Sequence, residues 1–274
     1  MVSDSSGPCD VSGWELNLRP LTGRYPKLEL ADSGQKYILK FAALQKQSGL
    51  EVPYQVSEYI ASRVIKSLGY DVHEVALAEY RGRHGCLIKV FEEPLVTFDG
   101  LGTSTMSDEN LPYDLDILHS LFSEGKYAGD FDGYMWDTFC IDAFIANLDR
   151  HPNNWGFFNR SGVYHSAPLF DNASSLYSLY AFALHKIPDL ESHIKKFSRS
   201  MVSYRGERRS FEEILLSENS KTYRERLSVF KGRLNSLSLD SLESVCRVWP
   251  EYTPYTEFVK KFMDRQVKWF ETQI

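Results

Sequence analysis

Residues 147–154 read Asn-Leu-Asp-Arg-His-Pro-Asn-Asn, which places an acid, two bases and three amides in one short loop. The chain then runs through apolar residues 155–158, and after a turn the sequence Ala-Pro-Leu-Phe leads to a second acid, Asp171. Phosphoryl transfer from a nucleotide uses such a set, because one carboxylate orients the attacking hydroxyl while an amide oxygen and a second carboxylate hold Mg²⁺ on the phosphates. The two acids act at opposite ends of an in-line displacement, so we expect them on different backbone segments that meet in the fold.

The same residues have a simpler interpretation, since Asp-Arg-His is a common polar cluster and Asn-Asn after proline is ordinary turn chemistry. The surrounding pattern favours the catalytic interpretation. An amphipathic helix predicted over Tyr134–Asn147 leads into the loop. Strands predicted over Trp155–Phe158 and Val163–Ser166 form a hairpin that returns the chain towards Asp171.

Length and composition are those of an ordinary globular protein. The 274 residues suffice for one large domain or two small lobes with a substantial core. The net charge of −6 and the lack of a long Lys and Arg run argue against a direct nucleic-acid partner. The four cysteines are far apart, without metal-ligand or disulfide spacing, which indicates a reducing compartment. With no signal-peptide pattern and no apolar run of membrane length, we expect a cytoplasmic protein without a membrane partner.

The N-terminal part of the sequence predicts a small sheet. We expect a mobile tail over residues 1–12 and strands over residues 14–18, 28–30 and 36–41. The loop between the first two strands contains Gly23, whose missing Cβ would let the backbone approach phosphate oxygens, although a lone hairpin glycine is usually only a turn. Lys40 faces the side where this loop could fold over and would pair with nucleotide phosphates. The alternative for Lys40 is a solvent-facing edge lysine.

A helix predicted over Pro53–Leu68 follows, with Glu58 in its first half. Glu58 could form an ion pair with Lys40, as in protein kinases, or could lie on the helix surface. Strands predicted over Val72–Tyr80 and Cys86–Phe91 complete a sheet of about five strands.

Helical patterns dominate after the sheet, so we predict an α+β fold of two lobes that form one kinase-like domain. The β-rich N-lobe would span residues 1–92 and the helical C-lobe residues 93–274. In such a fold Lys89, Val90 and Phe91 would be the hinge, whose backbone would hydrogen-bond adenine; the alternative for Phe91 is plain core packing.

The C-lobe pattern starts with a connector over residues 94–112. Further helices are predicted over residues 113–122, 224–234, 241–249 and 254–270. Residues 172–177 are polar and turn-like, at the position of a kinase activation segment, and the rest of the chain is predicted to be helical.

These motifs also carry a family resemblance. The pattern Asn-x-Asp-Arg-His-x-x-Asn at 147–154, followed by Pro-Leu-Phe-Asp at 168–171, resembles the HipA-like serine/threonine kinases. Residues 57–69, Trp136-Asp137 and residues 154–157 are similar to the short, CtkA-like branch, which lacks the HipA N-terminal subdomain. The resemblance implies a fold related to protein kinases and to phosphatidylinositol 3- and 4-kinases.

The resemblance also implies ATP and Mg²⁺ as cofactors and a protein with Ser or Thr hydroxyls as substrate. Asp149 would be the catalytic acid that orients the substrate hydroxyl, and Lys40 would hold the nucleotide phosphates. His151 would lie beside the nucleotide and the catalytic loop. Asn154 and Asp171 would ligate Mg²⁺. A HipB-like antitoxin is the partner that the resemblance suggests.

The resemblance places a larger set of residues around the nucleotide, namely Gly23, Arg24, Lys27, Lys40, Glu58, Lys89, Val90, Phe91, His151, Asn154 and Asp171. One departure concerns regulation. The family's autophosphorylated serine lies just before the loop glycine. In this sequence Pro20 is the third residue before Gly23, and the nearby hydroxyl belongs to Thr22. Thr22, Ser174 and Ser175 are therefore the candidate self-modification sites.

Three functions stay open at this point. The first is an ATP-dependent protein kinase that modifies Ser or Thr, including its own. The second is a kinase-fold enzyme that phosphorylates a lipid or a small molecule. The third is a toxin–antitoxin component that acts mainly through a partner complex, and delivery to another cell is also open. The presence of Lys40, Asp149, Asn154 and Asp171 favours the protein kinase. The negative net charge argues against binding to anionic membranes, and so against a lipid substrate.

Overall fold

The chain folds into a β-rich N-terminal lobe and a mostly helical C-terminal lobe. The computed structural model describes residues 7–17, 26–45, 49–97, 113–114, 131–183, 189–197, 199–204 and 206–274. Its strands are β1 (Cys9–Asp10), β2 (Glu15–Asn17), β3 (Lys27–Asp32), β4 (Gln35–Phe41), β5 (Ala43–Leu44), β6 (Glu51–Val52), β7 (Val75–Tyr80), β8 (Arg83–Lys89), β9 (Leu95–Thr97), β10 (Tyr113–Asp114), β11 (Gly156–Arg160), β12 (Val163–Ser166), β13 (Arg199–Tyr204) and β14 (Glu207–Ser210). Its α-helices are α1 (Tyr54–Ser67), α2 (Phe131–Ile145), α3 (Leu190–Phe197), α4 (Phe211–Ser217), α5 (Lys221–Arg233), α6 (Asp240–Val248) and α7 (Thr253–Thr272).

The N-terminal lobe is built on a six-stranded sheet in the order β1-β7-β8-β4-β3-β2. β1 joins β7 in parallel, and the other neighbours are antiparallel. Within this register Lys40 of β4 lies opposite Lys27 of β3 and Cys86 of β8. Directly opposite residues of an antiparallel pair share one face of the sheet, so the two lysines project to the same side.

The two faces of the sheet bury different cores. Leu39 and Phe41 face a small outer core, while Ile38 and Cys86 pack towards α1 and the main core. This alternation along β4 follows from the two-residue period of a strand. Lys40 lies on the same face as Ile38, as the alternation predicted, and the structure shows that this face points to α1.

The predicted mobile tail over residues 1–12 is wrong for its second half. Cys9–Asp10 is strand β1, and Val11 is fully buried in the outer core. The amide of Val11 also donates to the carbonyl of Glu79 at 2.9 Å. These contacts supply an edge strand that the Ser- and Gly-rich composition did not indicate. Residues 1–6 lie outside the described part of the chain.

Helix α1 forms because Val56, Ile60 and Val64 recur at helical spacing, and all three are fully buried. It ends before Gly69, whose φ of 75° suits the left-handed conformation after a helix. C-terminal elements hold it from the other side. The Arg233 guanidinium donates to the Gly69 carbonyl at 2.7 Å, and Gln55 Nε2 donates to the Tyr252 hydroxyl at 2.7 Å.

The C-terminal lobe contains more strand than the sequence predicted. Residues 199–204 and 207–210, expected to be helical, form the antiparallel strands β13 and β14, and β10 pairs with β13 in parallel. The helix predicted over Tyr113–Phe122 is therefore wrong at residues 113–114, and residues 115–122 are outside the described residues. The predicted connector contains β9, which pairs with β11. The lobe boundary between residues 92 and 93 stays a prediction.

Helix α2 is the central element of the C-terminal lobe. Twelve of its residues are buried, including Trp136 and Phe144, which contact α5 and α7 through Tyr223 and Phe270. The other predicted C-terminal helices are present as α5, α6 and α7. No helix in the described ranges is long and apolar enough to cross a membrane.

Candidate active site

A buried lysine between two carboxylates marks the centre of the candidate site. Lys40 Nζ lies 2.6 Å from Glu58 Oε2 and 2.5 Å from Asp171 Oδ1. Lys40 is 6% exposed and Glu58 is fully buried. Burial alone would lower the pKa of Lys40, but the charges of Asp171 and Glu58 outweigh it and raise that pKa above its ordinary value. The lysine is thus held as a cation at the meeting point of β4, α1 and the second acid.

Glu58 links this lysine to the backbone beyond Asp171. Its Oε1 accepts a hydrogen bond from the Asn172 amide at 2.8 Å and lies 3.0 Å from His73 Nε2. Burial would raise the pKa of Glu58, but Lys40 and His73 together lower it, so Glu58 is ionised. One glutamate therefore fixes the position of Lys40 and of the segment that carries Asp171.

The loop of residues 147–154, called the catalytic loop below, begins where helix α2 ends. Ala146 has a φ of 49°, which turns the chain out of the helix. Asn147 Oδ1 then accepts from the Asp149 amide at 3.2 Å, and Asn154 Nδ2 donates to the Asp149 carbonyl at 2.9 Å. Because the Asn154 nitrogen is used in this bond, its Oδ1 is the atom that suits a metal ligand. The loop thus holds Asp149 and Asn154 in a fixed relation.

His151 closes the same loop through its backbone. Its amide donates to the Asp149 carbonyl at 2.9 Å, and its carbonyl accepts from the Asn154 amide at 2.8 Å. The imidazole is partly exposed at the site. The backbone of His151 is thus bonded to Asp149 and Asn154, and its predicted position beside the nucleotide stays a prediction.

The sequence interpretation gave Arg150 no role, although the structure makes it the most connected residue of the loop. Its side chain is 2% exposed and forms a bidentate pair with Asp142, with distances of 2.8 and 2.9 Å. It also donates to the Asn154 carbonyl at 3.1 Å, the Phe170 carbonyl at 2.8 Å and Asn172 Oδ1 at 3.0 Å. The position of an arginine inside the loop motif was the only sequence signal for this role.

The segment after Asp171 is turn-like, as its composition predicted, and it is also buried. Every residue from 172 to 177 is at most 3% exposed. Two of the three candidate self-modification sites, Ser174 and Ser175, lie in it, and the Ser174 hydroxyl is 3.4 Å from Asp149 Oδ2. The third, Thr22, is outside the described residues.

Lys27 joins the positive side of the site. It is half-buried opposite Lys40 on the neighbouring strand. Burial and then the charge of Lys40 lower its pKa, while Asp171 acts in the opposite direction. Two neighbouring lysines on one face suit an anionic ligand. Gly23 and Arg24, the other predicted loop residues, lie outside the described residues.

The predicted hinge is used partly by the protein itself. The Lys89 amide donates to the Glu74 carbonyl and the Val90 amide to the Lys36 carbonyl, both at 3.0 Å. Neither amide is therefore available to an adenine ring, because each extends a strand pairing. Phe91 contacts Phe158 and Phe170, with ring centroids 5.5 and 6.0 Å apart. Phe170, which Phe91 contacts, is the residue directly before Asp171.

The donor set fits Mg²⁺ bound together with phosphates. Across the described ranges no group of three or more His, Cys, Asp or Glu side chains could form a closed metal cage. Mg²⁺ commonly uses one or two protein oxygens and takes its other ligands from phosphates and water. Asn154 and Asp171 supply such oxygens, and the Asp171 side chain is 36% exposed.

Comparison with known proteins establishes the family. The family model of the HipA-like C-terminal domain matches residues 20–224, about three quarters of the chain. The chain belongs to this family. Serine/threonine-protein kinase CtkA of Helicobacter pylori strain J99 is 28% identical over 244 residues, which cover 82% of this chain and 69% of CtkA.

Solved structures support the HipA-like fold. The crystal structure of the Helicobacter pylori proinflammatory kinase CtkA matches with a TM-score of 0.77 and 22% identity, covering 95% of each chain. HipA of Shewanella oneidensis MR-1, solved with HipB and operator DNA, matches with a TM-score of 0.54 and 14% identity, covering 91% of this chain and 65% of HipA. The predicted two-lobed kinase fold is confirmed by these relationships.

Gly156 gives a test of packing around the second acid of this HipA-like chain. A Cβ at Gly156 would lie 2.6 Å from Leu95 Cδ1 and 2.7 Å from Phe170 Cε1. Gly156→Ala is therefore expected to destabilise the fold by about 1–3 kcal/mol and to displace the residue before Asp171. Chemical denaturation measures the effect. Gly232→Ala is the control, because nothing lies within 4 Å of its Cβ and alanine favours helix α5. Equal stability of Gly156→Ala and the parent would contradict the packing described.

Proposed function

We propose that this chain is an ATP-dependent kinase that transfers phosphate to serine or threonine hydroxyls of proteins. The observation that carries the proposal is the position of Lys40, whose ammonium lies between Glu58 and Asp171. This arrangement brings a phosphate-binding cation to a carboxylate that can hold a metal, which is the division of labour that phosphoryl transfer requires.

The side chains of the site can be assigned to binding of ATP phosphates, Mg²⁺ and adenine. Lys40, with Lys27 beside it, would hold the phosphates of ATP, and Glu58 would keep Lys40 in place. Asn154 Oδ1 and Asp171 would hold Mg²⁺, which when bound neutralises charge on the phosphate oxygens. The Gly23–Lys27 loop would cover the phosphates, and the hinge residue Phe91 would contact adenine through its ring.

Asp149 would accept or orient the proton of the attacking hydroxyl. Its carboxylate already receives a hydrogen bond from the Ser174 hydroxyl at 3.4 Å, so a hydroxyl can reach it in this geometry. His151 would contribute from the neighbouring position in the loop. A general base placed in this way contributes about 10²- to 10⁴-fold to the rate.

The proposed function predicts phosphate transfer to protein, which intact mass spectrometry can measure after incubation with Mg²⁺ and ATP. We expect added phosphate on the chain itself or on a mixed protein pool, with modified Ser or Thr found by peptide mapping. Mapping would also distinguish Thr22 from Ser174 and Ser175, whose burial predicts slow modification. Parallel reactions would offer phosphoinositide vesicles and small-molecule alcohols. Transfer to these acceptors alone would overturn the protein-kinase proposal in favour of the lipid or small-molecule alternative.

A HipB-like partner is a further part of the proposal. The HipA structure that matches this fold was solved with HipB and operator DNA. Co-expression of this chain with a small DNA-binding protein of the HipB type, followed by size-exclusion chromatography, would test such a complex. Separate elution of the two proteins would leave the kinase proposal without this partner.

A further inference from the structure

Arg150 uses every hydrogen-bond donor that it has. A guanidinium carries five N–H groups, and the structure gives five hydrogen bonds from Arg150, each to an acceptor within 3.1 Å. Asp142 on α2 takes two of these bonds with both carboxylate oxygens, in the fork-to-fork geometry that fixes an arginine most firmly. The side chain is buried as well as saturated.

The remaining acceptors belong to the two segments that would hold the metal. One is the carbonyl of Asn154, and the others are the carbonyl of Phe170 and the side chain of Asn172, which flank Asp171. One rigid, planar group therefore spans the backbone of both proposed Mg²⁺ ligands. A change in its hydrogen bonds would alter the separation of those ligands without touching either of them.

We propose that Arg150 is a positioning residue that keeps the two Mg²⁺-binding segments permanently in register, without control by phosphorylation of residues 172–177. The inference rests on the proposed function. In many protein kinases a segment beyond the second acid is ordered when its phosphate pairs with arginine. Here Arg150 has no donor left for a phosphate, and residues 172–177 are already buried against the catalytic loop. The two segments that would hold Mg²⁺ are joined by the fold itself.

The test measures how much Mg²⁺ strengthens binding of a non-hydrolysable ATP analogue, by calorimetry with and without the metal. Arg150→Lys keeps a positive charge beside Asp142 but cannot reach all four partners. We expect the Mg²⁺-dependent gain in affinity to fall about 10- to 100-fold, with little change in affinity without metal. The matched control is Arg265→Lys, because Arg265 bridges Glu191 and Glu212 on other helices. The control should keep the gain of the parent.

Asp142→Asn provides a second variant if Arg150→Lys does not fold, since asparagine keeps the shape and loses the charge that anchors the guanidinium. It should reduce the same gain in the same direction. A folded Arg150→Lys or Asp142→Asn protein with the full parental gain would overturn the inference. So would a parent protein that loses the gain after phosphatase treatment. If the parent shows no Mg²⁺-dependent binding at all, the proposed function fails first, so the two failures are distinguishable.

Discussion

Replacing Asp149 by alanine is expected to reduce phosphoryl transfer by about 10²- to 10⁴-fold while the protein stays folded. Transfer falls because no other carboxylate in the loop of residues 147–154 can orient the attacking hydroxyl. The fold is expected to survive because the backbone of Asp149 makes contacts that organise this loop: its amide donates to Asn147 and its carbonyl accepts from Asn154. The measurement is the initial rate of phosphate incorporation, together with the midpoint of thermal unfolding.

The control for Asp149→Ala is Asp264→Ala, which removes an exposed carboxylate from helix α7. Both variants should bind Mg²⁺ and the ATP analogue as the parent does, since Asp149 is not a proposed metal ligand. A parental rate of transfer by Asp149→Ala would remove Asp149 from the mechanism. Loss of transfer in the control would show that the assay reports charge or stability in general.

Replacing Lys40 by methionine is expected to abolish measurable transfer and to destabilise the fold by about 3–5 kcal/mol. Lys40 is the cation bonded to the fully buried Glu58, and methionine would leave that carboxylate without its ammonium partner. The catalytic loss follows because methionine cannot hold phosphates. Chemical denaturation and the transfer rate measure the two effects separately.

A double variant separates these two effects. In Lys40→Met with Glu58→Gln the buried charge is removed along with its partner, and glutamine can still accept the Asn172 amide bond. Stability should therefore recover in large part, because replacing both members of a buried pair costs much less than removing one. Transfer should stay absent. If the double variant regained transfer, Lys40 would be a structural residue only.

The same ion pair predicts a pH dependence of stability. The pKa of Glu58 is lowered in the fold, so its contribution is present above its ordinary value of 4.5 and is lost as the pH falls below that value. The pKa of Lys40 is raised, so its contribution is present below its ordinary value of 10.5 and is lost as the pH rises above it. The contribution of this pair to the free energy of unfolding should be constant between pH 4.5 and pH 10.5. In the double variant, the decrease in stability below and above this range should be absent.

Local sequence pattern was sufficient for several parts of the site. The loop over residues 147–154 and Asp171 are close in sequence and joined by one hairpin, so their types and spacing predicted their meeting. The alternation along β4 placed Lys40 on the same face as Ile38, and the apolar spacing of α1 predicted the helix that carries Glu58. Periodicity reports such features because it depends on neighbours only a few residues away.

The sequence interpretation failed where a contact depends on distant residues. Strand β1 exists through pairing with β7, and β10 exists through pairing with β13, so neither had a strong local pattern of its own. The turn-like composition of residues 172–177 likewise gave no sign that the segment is buried. In the hinge, the backbone was predicted to hydrogen-bond adenine, but strand pairing uses the amides of Lys89 and Val90.

The sequence by itself determined the chemical inventory of this protein: an acid and an amide in one loop, a second acid after a hairpin, and a lysine on the inner face of a strand. Only the tertiary structure decided how those groups are held. Lys40 meets a carboxylate 131 residues away, and Glu58 bonds the amide of a residue 114 positions further on. Arg150 holds the loop, the Asp171 segment and Asp142 of α2 together through hydrogen bonds that no sequence pattern predicted. Such partners are selected by burial, because an ion or an amide removed from water must find a complementary group wherever the packed chain brings one.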